Sequence, residues 1–237
     1  DAMPRHLIAP LCTLALIALF PLSGATFYVE LTTKIMIMAI FALSLDLLVG
    51  WTGLVSFGHA AFFGVGAYAL ALLSPKAAAA GLWSSLGIAI VAAALCALVV
   101  GIFVLRTRGI YFIMVTLAFA QMFYFVFHDT DFGGGSDGRY VNLKPDASIL
   151  GFTPFDLDKP NQIYYVVLAV LVLVFAFLQM VLRSPFGRAL QGIKANEQRM
   201  RALGYPVTAY KLAAFTLAGA LAGLAGYLLA AQSGFVN

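Results

Sequence analysis

The side chains able to do chemistry in this chain are few and thinly spread. Asp46, His59, Thr116 and Gln121 each interrupt an apolar run, and Ser56 stands three residues before His59 in the segment SFGHAAFFGVGAY. An acid and a histidine inside apolar segments are the residue types of a proton-sensitive gate or an ion-coupling site, and hydroxyl and amide groups can line a polar path. The same five residues fit a plainer role, because isolated polar groups in apolar helices also serve as hydrogen-bonded glue between neighbours. Asp46 lies four residues before Gly50-Trp51-Thr52, an expected turn, so a place near the membrane surface suits it too. Enzyme chemistry finds less support. His6, His59 and His128 are widely separated and fall on different expected sides, so no acid–base or metal cluster emerges. Cys12 and Cys96 sit in separate apolar runs without a CxxC pair, which reads as packing rather than as a disulfide or metal site. No cofactor is expected. There is no GxxxxGK[ST] loop, so the chain has no usual means of cradling ATP phosphates.

The elements that must hold these residues are membrane spans. Of 237 residues, 62% are hydrophobic and 10% charged. An average soluble domain is about 45–50% apolar and about 25% charged. The pattern predicts an all-α, polytopic membrane protein forming one domain over 1–237. Seven apolar runs approach the roughly 20 residues a span needs: 7–22, 32–49, 54–73, 82–105, 109–127, 163–182 and 210–231. The first is short, contains Pro10, and is flanked by Arg5-His6 and Ser23-Gly24-Ala25, so it has features of a signal peptide as well; a retained span is favoured because more membrane follows at once. Glycines 53, 58, 64 and 66 break up the third run and permit a discontinuous helix. Ala60 and Gly64 form a small-xxx-small pair suited to close helix approach. In the last run Gly219 and Gly223 lie beside Ala214, Ala218, Ala222 and Gly226, a surface for packing inside the chain first and against a second chain second.

Charge fixes the orientation. The stretch 183–211, RSPFGRALQGIKANEQRMRALGYPVTAYK, holds Arg183, Arg188, Lys194, Arg199, Arg201 and Lys211 against Glu197, a net of +5. The loop 128–162 carries six aspartates against three basic residues, a net of −3. Basic loops stay inside, so the island and Arg106 are expected in the cytoplasm with the N-terminus, and the acidic loop outside. That loop holds GGGSDG and three prolines and is expected to fold as a small outer cap. The overall charge of +4 does not point to nucleic acid.

Within the island, Ser184-Pro185 is a helix start and Gly204 with Pro206 a stop. Phe186, Leu190, Ile193 and Met200 share one face, with Glu197 on the same line and a break near Asn196. Thr208 is placed to cap the span that follows. Two readings fit such a basic amphipathic segment: a helix lying on anionic lipid, or a helix docked by its stripe or its tip on a cytosolic partner.

At this point the sequence resembles the permease subunits of bacterial ABC importers for branched-chain amino acids. The island and the span after it carry the resemblance, together with LSLDLLVGWTGLVSFGHAAFFGVGAY (43–68), RGIYFIMVTLAFAQ (108–121) and GGGSDG (133–138). The resemblance implies an inner-membrane importer core built from two permease chains, two ATPase subunits below, and a periplasmic binding protein delivering substrate from above. It assigns Gly187, Arg188, Ala189, Ile193, Asn196, Glu197, Arg201 and Gly204 to the ATPase-coupling segment. The segment is only loosely like the coupling loop of other ABC importers, since Gln198 and Arg199 rather than two alanines follow Glu197. The resemblance also implies further spans beyond Asn237, in keeping with a chain that starts at Asp1 and stops just past a span. Leucine, isoleucine and valine are its default cargo, with urea and short amides as the alternative. The competing class is an ion-coupled secondary transporter, for which Asp46 and His59 are the candidate coupling groups.

Overall fold

The computed structural model describes residues 17–23, 26–74, 81–107, 109–130, 133–141, 145 and 159–236. Most of the expected first span and most of the outer cap lie outside the described residues. Helix dominates the rest. α1 covers Thr26–Asp46 and runs on as a π-helix over Leu47–Thr52. α2 covers His59–Leu73, α3 Leu82–Val104, α4 Ile110–Asp129 and α5 Pro160–Arg183. The island forms α6, Pro185–Ala195, and α7, Glu197–Ala202, and α8 follows over Val207–Ser233. Five of these helices are long and apolar enough to cross a membrane, and α2 is a shorter apolar helix. The chain is a multi-pass membrane protein.

α8 is the axis of the bundle and packs against α1, α2 and α3. Its alanines and glycines explain why. Lipid gives helices no hydrophobic reason to associate, so close backbone approach must supply the attraction. A methyl group added at Gly219 or Gly223 would overlap the methyls of Ala97 and Ala93 on α3. One added at Gly226 would strike the backbone carbonyl of Phe63 on α2. The stripe expected to pack inside the chain does so. A polar lock joins the same helices, where Ser85 and Tyr227 hydroxyls meet at 2.7 Å and Tyr227 is fully buried. On α2 the close approach falls elsewhere than expected. Gly66 lies against the Gly223 carbonyl, whereas Gly64 of the Ala60–Gly64 pair has open space beside it.

The third run is discontinuous, as its glycines allow. Residues 53–58 are not helical, and α2 begins only at His59. Irregular backbone inside a bundle needs partners for its polar groups. Leu54 N–H donates to Leu48 O at 2.9 Å, and Phe57 N–H donates to Thr116 Oγ1 on α4 at 3.2 Å. Gly53, with φ of +74°, takes the left-handed conformation that ends the π-helix.

At the opposite end, a two-residue antiparallel ladder pairs Arg139–Tyr140 (β1) with Phe235–Val236 (β2). This ties the GGGSDG loop to the end of α8. Glu30 near the start of α1 joins that end through Gln232, which donates to its backbone carbonyl at 2.8 Å. The α3–α4 turn, the π-helix and the island gather at the other end, around a cavity lined by Gly53, Thr107, Gly109 and Glu197. Among the described residues, the long helices alternate between these two ends.

Candidate functional site

Two regions can act, an open groove between two helices on the face of the bundle and the island at its end. The groove, a cavity of about 460 Å3, lies between α2 and α4 and is lined by Phe57, Ala60, Gly64, Tyr68, Leu117, Gln121, Tyr124 and His128 among others. Small residues on α2 make the space, and α4 supplies the polar groups. On the other side of α4 a second cavity of about 510 Å3 is almost wholly apolar, with Val65, Ala92, Met122 and Val126 in its wall. Tyr68 and Phe127 stack at 4.3 Å between ring centres and take part in the walls of both. The space is weakly polar, with Gln121, Tyr124 and His128 along an otherwise apolar lining.

The polar candidates sort into different roles. His59 is 2% exposed and its Nε2 meets Ser44 Oγ of α1 at 2.9 Å. Ser44 also donates to Phe41 O at 2.6 Å, so its oxygen accepts from His59 and the ring carries its proton on Nε2. That arrangement joins α1 to α2. Phe41 and Phe62 pack on the ring. Thr116 is 1% exposed, donates to Ile113 O at 2.8 Å and accepts from Phe57. It fastens α4 to the loop before α2. Ser56 is buried as well. Gln121 alone of the five faces the main cavity. Asp46 is exposed at the island end, with its carboxylate beside Gly50. Asp46 and His59 therefore lie in different surroundings, one exposed and one buried. Among the described residues no group of three or more His, Cys, Asp or Glu could hold a metal. Ser44 is the residue that sequence reasoning missed; a serine on an apolar helix carries no signal for which neighbour it meets.

The island is two helices, broken at Asn196 as its sequence predicts. Ser184 Oγ accepts from Gly187 N–H at 3.5 Å, and Pro185 takes the first helical position. Gly187 is buried, and a methyl there would overlap the Leu182 backbone, so α6 leaves α5 at a tight corner. Asn196 caps α7, its Oδ1 accepting from Arg199 N–H at 2.9 Å. Gly204, φ +84°, ends it. The cap expected from Thr208 does not form. Pro206 holds the N-cap position of α8 without a side-chain bond, and Val207 starts the helix.

The apolar stripe points inward. Ala189, Leu190 and Ile193 are buried against the bundle, and Phe186 stacks on Tyr210 at 5.6 Å. The surface left for a partner is the tip, where Leu203 is 65% and Tyr205 42% exposed beside exposed Arg199 and Arg201. Arg188 is exposed on α6. Glu197, read from the sequence as an acid on the docking stripe, is held by the chain itself. Its carboxylate lies 2.6 Å from both Arg201 on α7 and Lys211 on α8.

A family model for the permease component of branched-chain amino acid transport systems matches residues 27–237. The chain belongs to that family. The LivM permease proteins of high-affinity branched-chain amino acid transport systems in Salmonella typhimurium and Escherichia coli are 34% and 35% identical to it over 228 residues, covering 88% of this chain. The alignment covers 53% of those relatives, so the chain spans about half their length. A permease protein of the autoinducer 2 import system of Photorhabdus laumondii, LsrC, is 29% identical over 101 residues, 43% of this chain and 29% of its own. No solved structure gives a significant match. These relatives are permease subunits of transporters, not enzymes, and the arrangement of cavity and island agrees with that class.

Proposed function

We propose that the chain is a permease subunit of an ATP-driven importer of branched-chain amino acids in the bacterial inner membrane. The observation that carries this reading is the island: a capped pair of helices seated on the bundle and presenting a tip of Arg199, Arg201, Leu203 and Tyr205. A tip that is basic and apolar at once suits a cleft on a cytosolic ATPase subunit. The partners are two such ATPase subunits, a second permease chain and a periplasmic binding protein. The island end and the N-terminus lie in the cytoplasm, since basic segments are retained there. Leucine, isoleucine and valine pass through the cavity between α2 and α4, which needs only weak polarity because capture belongs to the binding protein.

The test is uptake of labelled leucine by proteoliposomes containing the assembled transporter, with loaded binding protein outside and ATP inside. Uptake that requires ATP and the ATPase subunits is the expected result. Uptake that ignores ATP and collapses with the proton gradient would move the chain to the ion-coupled class.

A further inference from the structure

The break at Asn196 does more than divide the island. It places two charged side chains, three residues apart, on two different parts of the bundle. On the α6 side, Lys194 reaches the end of the π-helix that extends α1. Its Nζ donates to Gly50 O at 2.5 Å. Its stem lies beside Gly53, where a side-chain carbon would meet Lys194 Cγ at 3.1 Å. The chemistry of that contact is specific. The chain turns left-handed at Gly53, and the N–H groups of Gly53 and Leu54 both go to Leu48 O. The Gly50 carbonyl is therefore among those that a helix end leaves over, and such carbonyls favour a cation. On the α7 side, Glu197 holds Lys211, one turn into α8, the axis of the bundle.

We propose that Lys194 and Glu197 are positioning residues that convey movement of the island to the π-helical end of α1 and to the start of α8. The proposal rests on the ATP-driven import reading. The Lys194 contact is exposed and weak, and the Glu197–Lys211 pair is part-buried, a single pair that positions the island more than it supports the bundle. Each does fix where the island pushes. From Gly53 the route is short. Residues 53–58 lead to Phe57, whose N–H is tied to Thr116 on α4 and whose side chain lines the cavity. Ser44 and His59 then keep α1 and α2 in step. A π-helix suits this position, because its register differs by one residue from the α-helix it extends and such segments concentrate at functional sites. Lys194 and Glu197 do not themselves need to touch the ATPase; the exposed tip can do that.

The experiment uses the assembled transporter containing the full-length chain, in proteoliposomes with its ATPase and binding protein. Leucine moved per ATP hydrolysed is measured together with the affinity of the permease for the ATPase subunit. Lys194→Met and Glu197→Gln are expected to lower transport per ATP by about fivefold or more, the lower end of usual inter-site coupling. Affinity for the ATPase is expected to stay within about twofold for Lys194→Met, whose side chain turns to Gly50; Glu197→Gln also releases Arg201 of the tip, so Arg201→Met is measured beside it as the control. Lys194→Arg, which keeps the donor, is expected to retain at least half of the coupling, and Lys211→Met is expected to lower the ratio as Glu197→Gln does, with the two changes together no worse than either alone. A purely structural role would lower the amount of assembled protein and leave the ratio unchanged, so that result overturns the proposal. Loss of ATPase affinity with an unchanged ratio overturns it too and makes the two residues surface anchors. If the Lys194→Met or Glu197→Gln variant fails to assemble, Lys194→Gln and Lys211→Met carry the measurement. Absence of ATP-dependent uptake in the unmodified transporter would instead defeat the import reading, and this proposal with it.

Discussion

α8 and α4 are both apolar helices able to cross a membrane, yet they live in different surroundings. In the most apolar 18-residue window of each, 61% of α8 is buried inside the chain against 11% of α4. α8 is rich in alanine and glycine and packs most closely on three helices, α1, α2 and α3. α4 is built from Phe, Tyr and Met, and leaves Tyr111, Met114, Met122 and Phe125 more than half exposed. It touches the bundle through buried Phe112, which meets Phe215 of α8 edge-on, through Thr116 and through the Tyr68–Phe127 stack, with open space on both flanks. Small residues mark the scaffold, where backbones must approach. Large residues and scattered polar groups mark the wall that faces cargo, lipid or a second chain. The island lies against both, with Glu197 paired to Lys211 of α8 and Lys194 against Gly50 and Gly53, where the loop toward α4 begins.

The comparison can be broken first at its tightest point. Gly66→Val would drive a side chain into the Gly223 carbonyl, while Gly64→Val, two residues away, meets open space. Overpacking costs about 1–3 kcal/mol and more when backbone must move. Gly66→Val is expected to abolish recovery of folded protein by size-exclusion chromatography, and Gly64→Val to leave it intact. Equal recovery of both would show that the α2–α8 contact is not the scaffold.

A smaller effect is expected where α4 is fastened. Thr116→Val keeps the shape but leaves the Phe57 N–H without its acceptor. An unpaired buried donor costs about 1–3 kcal/mol. The thermal unfolding midpoint should fall for Thr116→Val and return for Thr116→Ser. The smallest structural effect belongs to Gln121, which faces the cavity. Gln121→Leu is expected to change stability by no more than about 0.5 kcal/mol, as exposed substitutions do, while altering the rate of leucine uptake. A large loss of stability with unchanged uptake would make Gln121 part of the scaffold instead.

Much of this was legible in the sequence, for reasons that are local. The apolar runs announced the helices, and Ser184-Pro185, Asn196 and Gly204 announced the start, break and stop of the island because caps depend on neighbours in sequence. What was not legible depends on contacts across the chain. Ser44 and His59 are fifteen residues apart, and Glu197 and Lys211 fourteen. Gly64 and Gly66 carry the same residue type in one helix, and only the rotation of α2 against α8 decides which of them meets Gly223. Packing of the island against α5, the π-helix and α8 turned its apolar stripe inward and left its tip exposed. Thr208 resembled a cap, but the chain enters α8 from Pro206.

The central claim is that the space between α2 and α4 is the path. Ala120 lines that space. In a background where Cys12 and Cys96 are replaced by serine and alanine, Ala120→Cys can be labelled with a bulky thiol reagent and leucine uptake measured before and after. The account predicts ATP-driven uptake by the unlabelled protein and its loss on labelling, with the transporter still assembled. Uptake at the unlabelled rate after complete labelling would contradict it.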